Sequence, residues 1–233
     1  MSREQIRVVE ELRDIFKGEE VWILGAGQSL DDFPKDFFYD KKSIALNGAI
    51  YNFPNCNYWH GHHEVWREYL RDEKPEFLEK SIICYPFPGP FYHDTPRDPV
   101  GFFGEMTSIP YWLYFLDSCV LAKHEFMMPI NDILEKRDVI RFRACCTVAH
   151  IAMQIAFLMG AKKISLVGCE HKNFPNQDSH VNIGITYPAV WGGNEEIFSA
   201  TKWLAEIFSE YGVEMQRYYN VDTDFYKKGY EII

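Results

Sequence analysis

The stretch Val21-Trp22-Ile23-Leu24-Gly25-Ala26-Gly27-Gln28-Ser29-Leu30 constrains this chain more than any other. Four apolar residues without a polar break suit a strand buried on both faces, the habit of parallel sheets. The run ends in Gly-x-Gly, which lets the backbone turn sharply and come close to a neighbour or a ligand. Ser-Leu-Asp-Asp then predicts a short helix, with Ser29 placed to cap it. A strand, a glycine turn and a helix N-terminus in that order present backbone N–H groups and a positive dipole end, which attract phosphate. The dinucleotide fingerprint Gly-x-Gly-x-x-Gly is incomplete, because Leu30 stands at its third glycine.

Other short apolar runs follow the same plan. Ser43–Leu46 ends in Asn47-Gly48, and Asn57–Trp59 ends in His60-Gly61-His62-His63-Glu64. Ser81–Tyr85, Ile164–Gly168 and Val213–Arg217 are further strands, and Asp138–Phe142 is a strand or an extended link. Apolar spacing predicts an amphipathic helix over residues 2–17, with Ile6, Val9, Leu12 and Phe16 on one face. Helices are also expected at 64–71, 106–122, 131–135, 143–160 and 195–211, with Gly160 and Gly212 as stops. Residues 86–104 are rich in proline, glycine and aromatics and read as a long lid or binding loop. Alternating strands and helices predict an α/β fold: one doubly wound, mainly parallel Rossmann-like domain over 1–233, helices on both faces, with the lid inserted at about 86–104.

The totals narrow the function. A net charge of −10 argues against a nucleic-acid or anionic-membrane surface. The longest apolar run, Val148–Ala161, is too short to span a bilayer and contains His150 and Gln154. The N-terminus Met-Ser-Arg-Glu-Gln has no signal-peptide character. Cys56, Cys84, Cys119, Cys145, Cys146 and Cys169 form no Cys-x-x-Cys and read as reduced, mostly buried thiols of a cytoplasmic protein.

Ligands of such folds bind beyond the carboxyl ends of strands. Here those ends carry Gly25–Ser29, Asn47-Gly48, His60–Glu64, the proline-rich loop, Arg143–Thr147 and Cys169–His180. His60, His62, His63 and Glu64 lack metal-ligand spacing, so a substrate-facing polar corner is the expectation and no metal is assigned. Arg143 before a helix N-terminus bearing Cys146 and Thr147 would suit a phosphate. Cys146 reads as a small buried residue, since no Cys–His signature accompanies it. His180 could take a proton from a hydroxyl, oriented by Asp178 or Glu170.

Several of these pieces, in this order, resemble one group. They are Gly25-x-Gly27-x-Ser29-Leu30, Asn47, Arg143-x-x-Cys146-Thr147, then Gly160-Ala161-Lys162-Lys163-Ile164-x-Leu166-x-Gly168-x-Glu170 with Ser179-His180 beyond. The pattern is similar to the Rossmann-like group of bacterial CMP-sialic-acid-dependent (lipooligosaccharide) sialyltransferases. That group also holds the Gly-x-Gly-x-Ser-Leu proteins and the 6-hydroxymethylpterin diphosphokinases of archaeal type. Ala26 stands where the sialyltransferases usually carry Asn, and Cys146 where Ser is common; Ala26 is closer to the diphosphokinase-like members.

The resemblance implies a nucleotide site made of Gly25, Ala26, Gly27, Gln28, Ser29, Asn47, Gly48, Arg143, Cys146, Thr147, Gly168 and Glu170. It implies His180 as general base on the acceptor hydroxyl, with Arg143 and His171 assisting. The tyrosine pair that stabilises the leaving phosphate in the sialyltransferases is absent from Cys169–Gln177, so His171, Lys172 or Tyr187 would serve. His60, His62 and Glu64, with the lid, would bind the glycan acceptor on a bacterial or phage surface glycan. No cofactor is required; the nucleotide sugar is a substrate, and Mg²⁺ enters only with an ATP-dependent diphosphokinase activity. A non-catalytic nucleotide or glycan sensor is the third alternative. Related enzymes often assemble, so a homo-oligomer is expected.

Overall fold

The computed structural model describes residues 7–34, 36–61, 79–86, 111–119, 122–145, 147–169, 194–219 and 229–233. Among the described residues ten strands form one sheet: β1 (Arg7–Val8), β2 (Glu20–Leu24), β3 (Lys42–Leu46), β4 (Tyr58–Gly61), β5 (Ser81–Pro86), β6 (Tyr111–Cys119), β7 (Arg141–Ala144), β8 (Lys163–Val167), β9 (Glu214–Tyr219) and β10 (Gly229–Ile232). The order is β1-β6-β5-β4-β3-β2-β8-β9-β10, and β7 also pairs with β6. Among the described pairs all are parallel except β9 with β10. Three α-helices are described: α1 (Lys123–Leu134), α2 (Val148–Leu158) and α3 (Asn194–Glu210). The chain is therefore α/β with a mostly parallel sheet.

The order places the reversal at the centre. From β2 the chain builds outward through β3, β4, β5 and β6; after β7, α2 carries it back to β8 on the other side of β2. The strand order therefore reverses at the β2/β8 boundary, with β3 beside β2 and β9 beside β8.

Helix α2 lies at the heart of the molecule. Every residue from Ala149 to Leu158 is buried. It touches β2, β3 and β4 in the middle of the sheet, β7 at its edge, and both other helices. A helix apolar on all sides is stable only when surrounded. Its two polar side chains are hydrogen-bonded inside. Gln154 Nε2 donates to the carbonyls of Arg143 (2.6 Å) and His150 (2.7 Å), and its Oε1 accepts from the Arg143 N–H (3.2 Å). His150 Nδ1 accepts from the Cys145 N–H (3.1 Å), so its proton sits on Nε2 and is donated to Thr201 Oγ1 (3.0 Å). Thr201 in turn donates to the Ile197 carbonyl at 2.9 Å. Burial drives the His150 pKa down to about 3, so the ring is neutral at ordinary pH. These bonds tie the end of β7 to α2 and α2 to α3.

Two expected helices are strands or turns instead. Over residues 2–17 the described part is β1, a 3-10 turn at Val9–Leu12 and further turns. Val9, Leu12 and Phe16 are buried as their spacing predicts. The local form differs because this segment satisfies α2: Asp14, Phe16 and Gly18 donate N–H groups to the carbonyls of Leu158, Met159 and Gly160. Those carbonyls end a helix and have no partner within it. The second correction is 106–122, where Tyr111–Cys119 is strand β6, held by β5 on one edge and by β1 and β7 on the other. Aromatic residues favour that pleated setting.

Smaller shifts follow. The helix expected at 131–135 begins already at Lys123, and the one expected from Arg143 begins at Val148, with Thr147 Oγ1 capping the Ala149 N–H at 3.2 Å. Gly160 and Gly212 stop their helices at φ +81° and +75°. The helix expected at 64–71 and the lid beyond Pro86 lie outside the described residues. Among those described, no helix is long and apolar enough to cross a membrane.

Two predictions test this framework. Gln154→Leu leaves the Arg143 main chain without its partners and costs about 2–4 kcal/mol, read as a lower urea midpoint with an unchanged slope. The second concerns buried Asp132, which accepts from Arg141 Nε (3.0 Å) and Nη2 (2.9 Å). Burial alone would raise this carboxyl; the hydrogen bonds and charge of Arg141, with Arg137, outweigh it and hold the pKa below its usual value. A lowered carboxylate pKa stabilises the fold above the unfolded value of about 4, and that stabilisation fades as pH falls through the folded value. The stability gap between wild type and Asp132→Asn is expected to be widest at neutral pH and to close below about pH 4.

Candidate functional site

The switch point is built from the ends of β2 and β8. Three hydrogen bonds stitch them: the Gly25 N–H donates to the Val167 carbonyl (2.7 Å), the Gly27 N–H to the Gly168 carbonyl (2.9 Å), and the Gly168 N–H to Ser29 Oγ (2.7 Å). A Cβ on Gly25 would overlap the Gly168 carbonyl oxygen, and one on Gly168 would overlap the Gly25 carbonyl. Gly168 also sits at φ +69°, the left-handed region. The glycines at 25 and 168 thus let two strand ends touch, a reason for glycine that needs no ligand.

This geometry changes what the Gly-x-Gly stretch offers an anion. The turn is followed by a five-residue 3-10 turn, Gln28–Asp32, whose N-cap position is Gly27. Ser29 lies inside it, is buried, and does not cap it. A single 3-10 turn carries little of the macrodipole of a full helix. The Gly25 and Gly27 N–H groups are both committed to the β8 strand end.

Asn47 follows β3, the strand beside β2, and opens the 3-10 turn Asn47–Tyr51. Its φ is +46°, and its carbonyl accepts from the Trp59 indole N–H at 2.8 Å. Its side-chain Oδ1 is buried and has no hydrogen-bond partner among the described residues. Gly48 next to it is buried. On β4, His60 is fully buried and donates Nδ1–H to the Ile82 carbonyl at 2.8 Å. Gly61 packs against the Trp59 ring, which leaves no room for a Cβ.

Arg143 and Thr147 belong to another neighbourhood. Arg143 is on β7, with four strands between β7 and β2 in the sheet order, and its guanidinium lies 3.7 Å from the Glu125 carboxylate on α1. Thr147 uses its hydroxyl as the α2 cap. Sequence reasoning placed Arg143 at a helix start; it is a strand residue whose main chain is clamped by Gln154. The described residues therefore bring together Gly25, Ala26, Gly27, Ser29 and Gly168, with Asn47 on the adjoining strand end. His62, Glu64, Cys146, Glu170, His171 and His180 lie outside the described residues.

Sequence reasoning missed the partnership of Ser29 with Gly168 and the pairing of His150 with Thr201. The only signal for the second was a polar pair spaced i, i+4, His150 and Gln154, in an otherwise apolar run. Cys56, Cys145 and Cys169 are buried free thiols, and burial pushes the Cys56 pKa up to about 12. No group of three or more His, Cys, Asp or Glu that could hold a metal ion is found among the described residues. Comparison of the chain with protein families, with curated proteins and with solved structures gives no match.

Gly25→Ala is expected to cost about 3 kcal/mol, because its methyl meets backbone on β8 rather than a movable side chain. Ala26→Gly, one residue on, should cost about 1 kcal/mol or less. Thermal unfolding of both variants checks this: the first should lower Tm by roughly 6–12 °C and the second by a few degrees at most.

Proposed function

We propose that the chain is a nucleotide-dependent transferase with a doubly wound, Rossmann-like domain. In its fullest form it is a metal-independent, sialyltransferase-like glycosyltransferase. It would move a sugar from a CMP-type donor to a glycan hydroxyl. The observation that carries this reading is the switch point itself: β2 and β8 are joined through Gly25 and Gly168, with Asn47 at the next strand end. Parallel sheets bind nucleotides in the crevice outside such a reversal. The Asn47 carboxamide supplies a donor there. The order of Gly25-x-Gly27-x-Ser29, Asn47, Arg143, Glu170 and His180 along the chain adds the resemblance described above.

In this reading His180 takes the proton of the acceptor hydroxyl as its oxygen attacks the anomeric carbon and the CMP phosphate leaves. His171 or Lys172 would offset the charge on the departing phosphate. A second reading is an ATP-dependent diphosphokinase-like enzyme. One observation favours it: Asp31 and Asp32 on the turn leaving the switch point are exposed carboxylates, better suited to Mg²⁺ carried with ATP than to a bare phosphate.

Thermal shift decides between them. CMP at about a hundred times its Kd should stabilise the protein by about 2.7 kcal/mol, a Tm rise of roughly 5–10 °C. His180→Ala should keep that shift and lose sugar transfer. A shift from ATP only in the presence of Mg²⁺, with none from CMP, selects the diphosphokinase reading. Absence of any nucleotide shift overturns both.

A further inference from the structure

Trp22 and Ser43 are partners in register on β2 and β3, so they share one face of the sheet. It is not the face under α2. Val21, Ile23 and Ile44, their neighbours in sequence, belong to the core around that helix and so lie on the opposite face. Trp22 keeps only 6% of its surface exposed and Ser43 none. Yet the Trp22 Nε1 and the Ser43 Oγ have no hydrogen-bond partner among the described residues. Comparable groups in the same sheet are satisfied. The Trp59 indole donates to the Asn47 carbonyl at 2.8 Å. Ser165, the partner of Trp22 on β8, donates to Glu20 and accepts from Gln216. Buried polar groups left unpaired are costly, and a ligand that pairs them recovers that cost.

The cover over this pair is aromatic. Phe33, Phe37 and Phe38 stand around the Trp22 ring at centroid distances of 6.3, 5.7 and 5.6 Å. Among the described residues the backbone hydrogen bonds of the cover are local: Phe33 to Leu30, Phe37 to Pro34, Tyr39 to Asp36 and Lys41 to Phe38. Ring packing, and no described backbone bond to the strands beneath, holds it down. An element held this way opens at a lower free energy than the sheet it covers.

We propose that this place is a subsite for an uncharged sugar ring, which enters as the cover lifts. The phenylalanine and indole rings take the apolar C–H faces of the sugar. A sugar hydroxyl accepts from the Trp22 N–H and donates to Ser43 Oγ, a double role that suits both orphaned groups at once. Neither group is charged, which favours a hydroxyl over a phosphate. The use of this subsite for the acceptor glycan rests on the transferase reading; the binding itself does not.

NMR of the intact protein, with the Trp22 indole N–H signal assigned, tests the proposal. Methyl β-galactoside, methyl β-glucoside and methyl N-acetyl-β-glucosaminide are the probes, each at about 50 mM, well above a millimolar Kd. At least one should shift the Trp22 indole signal saturably, and Ser43→Ala should weaken that binding about tenfold. Ser43→Ala removes an unpaired hydroxyl, so its Tm should equal or exceed that of the wild type. A lower Tm would mean that the hydroxyl is already bonded, and the proposal fails. It fails also if none of the three sugars moves the signal, or if Ser43→Ala leaves the shift unchanged. A long-lived water at the Trp22 indole that no sugar displaces would assign both groups to that water alone and overturn the subsite. CMP provides the separate arm. Sugar binding without a CMP thermal shift removes the transferase reading and leaves the subsite standing; a CMP shift without sugar binding does the reverse.

Discussion

The fold depends on burying α2 on every side. Its apolar residues need surroundings in all directions, and one flat sheet covers only one side. The sheet supplies β2, β3 and β4 beneath the helix, β7 reaches it at the edge, and α1 and α3 close the rest. Backbone groups at both ends of α2 then have to be satisfied inside the protein. At the start, Thr147 caps the helix and His150 and Gln154 bind the main chain of Cys145 and Arg143. At the end, the turns at 13–18 donate to its last carbonyls. Polar groups in such a place stabilise the fold only when fully paired. The helix that returns the chain from β7 to β8 also sets where the strand order reverses.

At that reversal, glycine lets two strand ends meet. Gly25 and Gly168 come from strands adjacent in space and far apart in sequence, and each leaves out the side chain that would push the other away. The same two residues would be read as ligand-binding from sequence and as packing from structure. The packing description needs no ligand, because the bare glycine backbones of two strand ends meet there. The three hydrogen bonds show which donors the neighbouring strand has already taken.

Much of the framework is legible in sequence. The runs at 21–24, 43–46, 81–85 and 164–168 are strands because uninterrupted apolar residues need cover on both faces. The helix over 195–211 is legible from its period, and Gly160 and Gly212 mark helix ends. The misread segments are those whose local pattern was overruled from outside. Val9, Leu12 and Phe16 have helical spacing and are buried, but their backbone is spent on the carbonyls of α2. Tyr111–Cys119 carries an apolar run compatible with either period, and strands on both of its edges decide the matter. In the candidate site, Gly25, Gly27 and Asn47 stand at strand ends as their positions suggest, while Arg143 belongs to the α1 and α2 neighbourhood.

By itself the sequence determined that this is an α/β chain with buried parallel strands, that glycine follows β2, and that an apolar helix ends at Gly160. These follow from local composition and period, which act over a few residues. Only the tertiary structure decided that Gly25 needs glycine because of Gly168, that Ser29 serves β8 instead of capping a helix, and that His150 is held neutral between Cys145 and Thr201. Each of those joins groups brought together by the path of the chain. A hydrogen bond or a steric overlap acts over a few ångströms of space, whatever the separation in sequence.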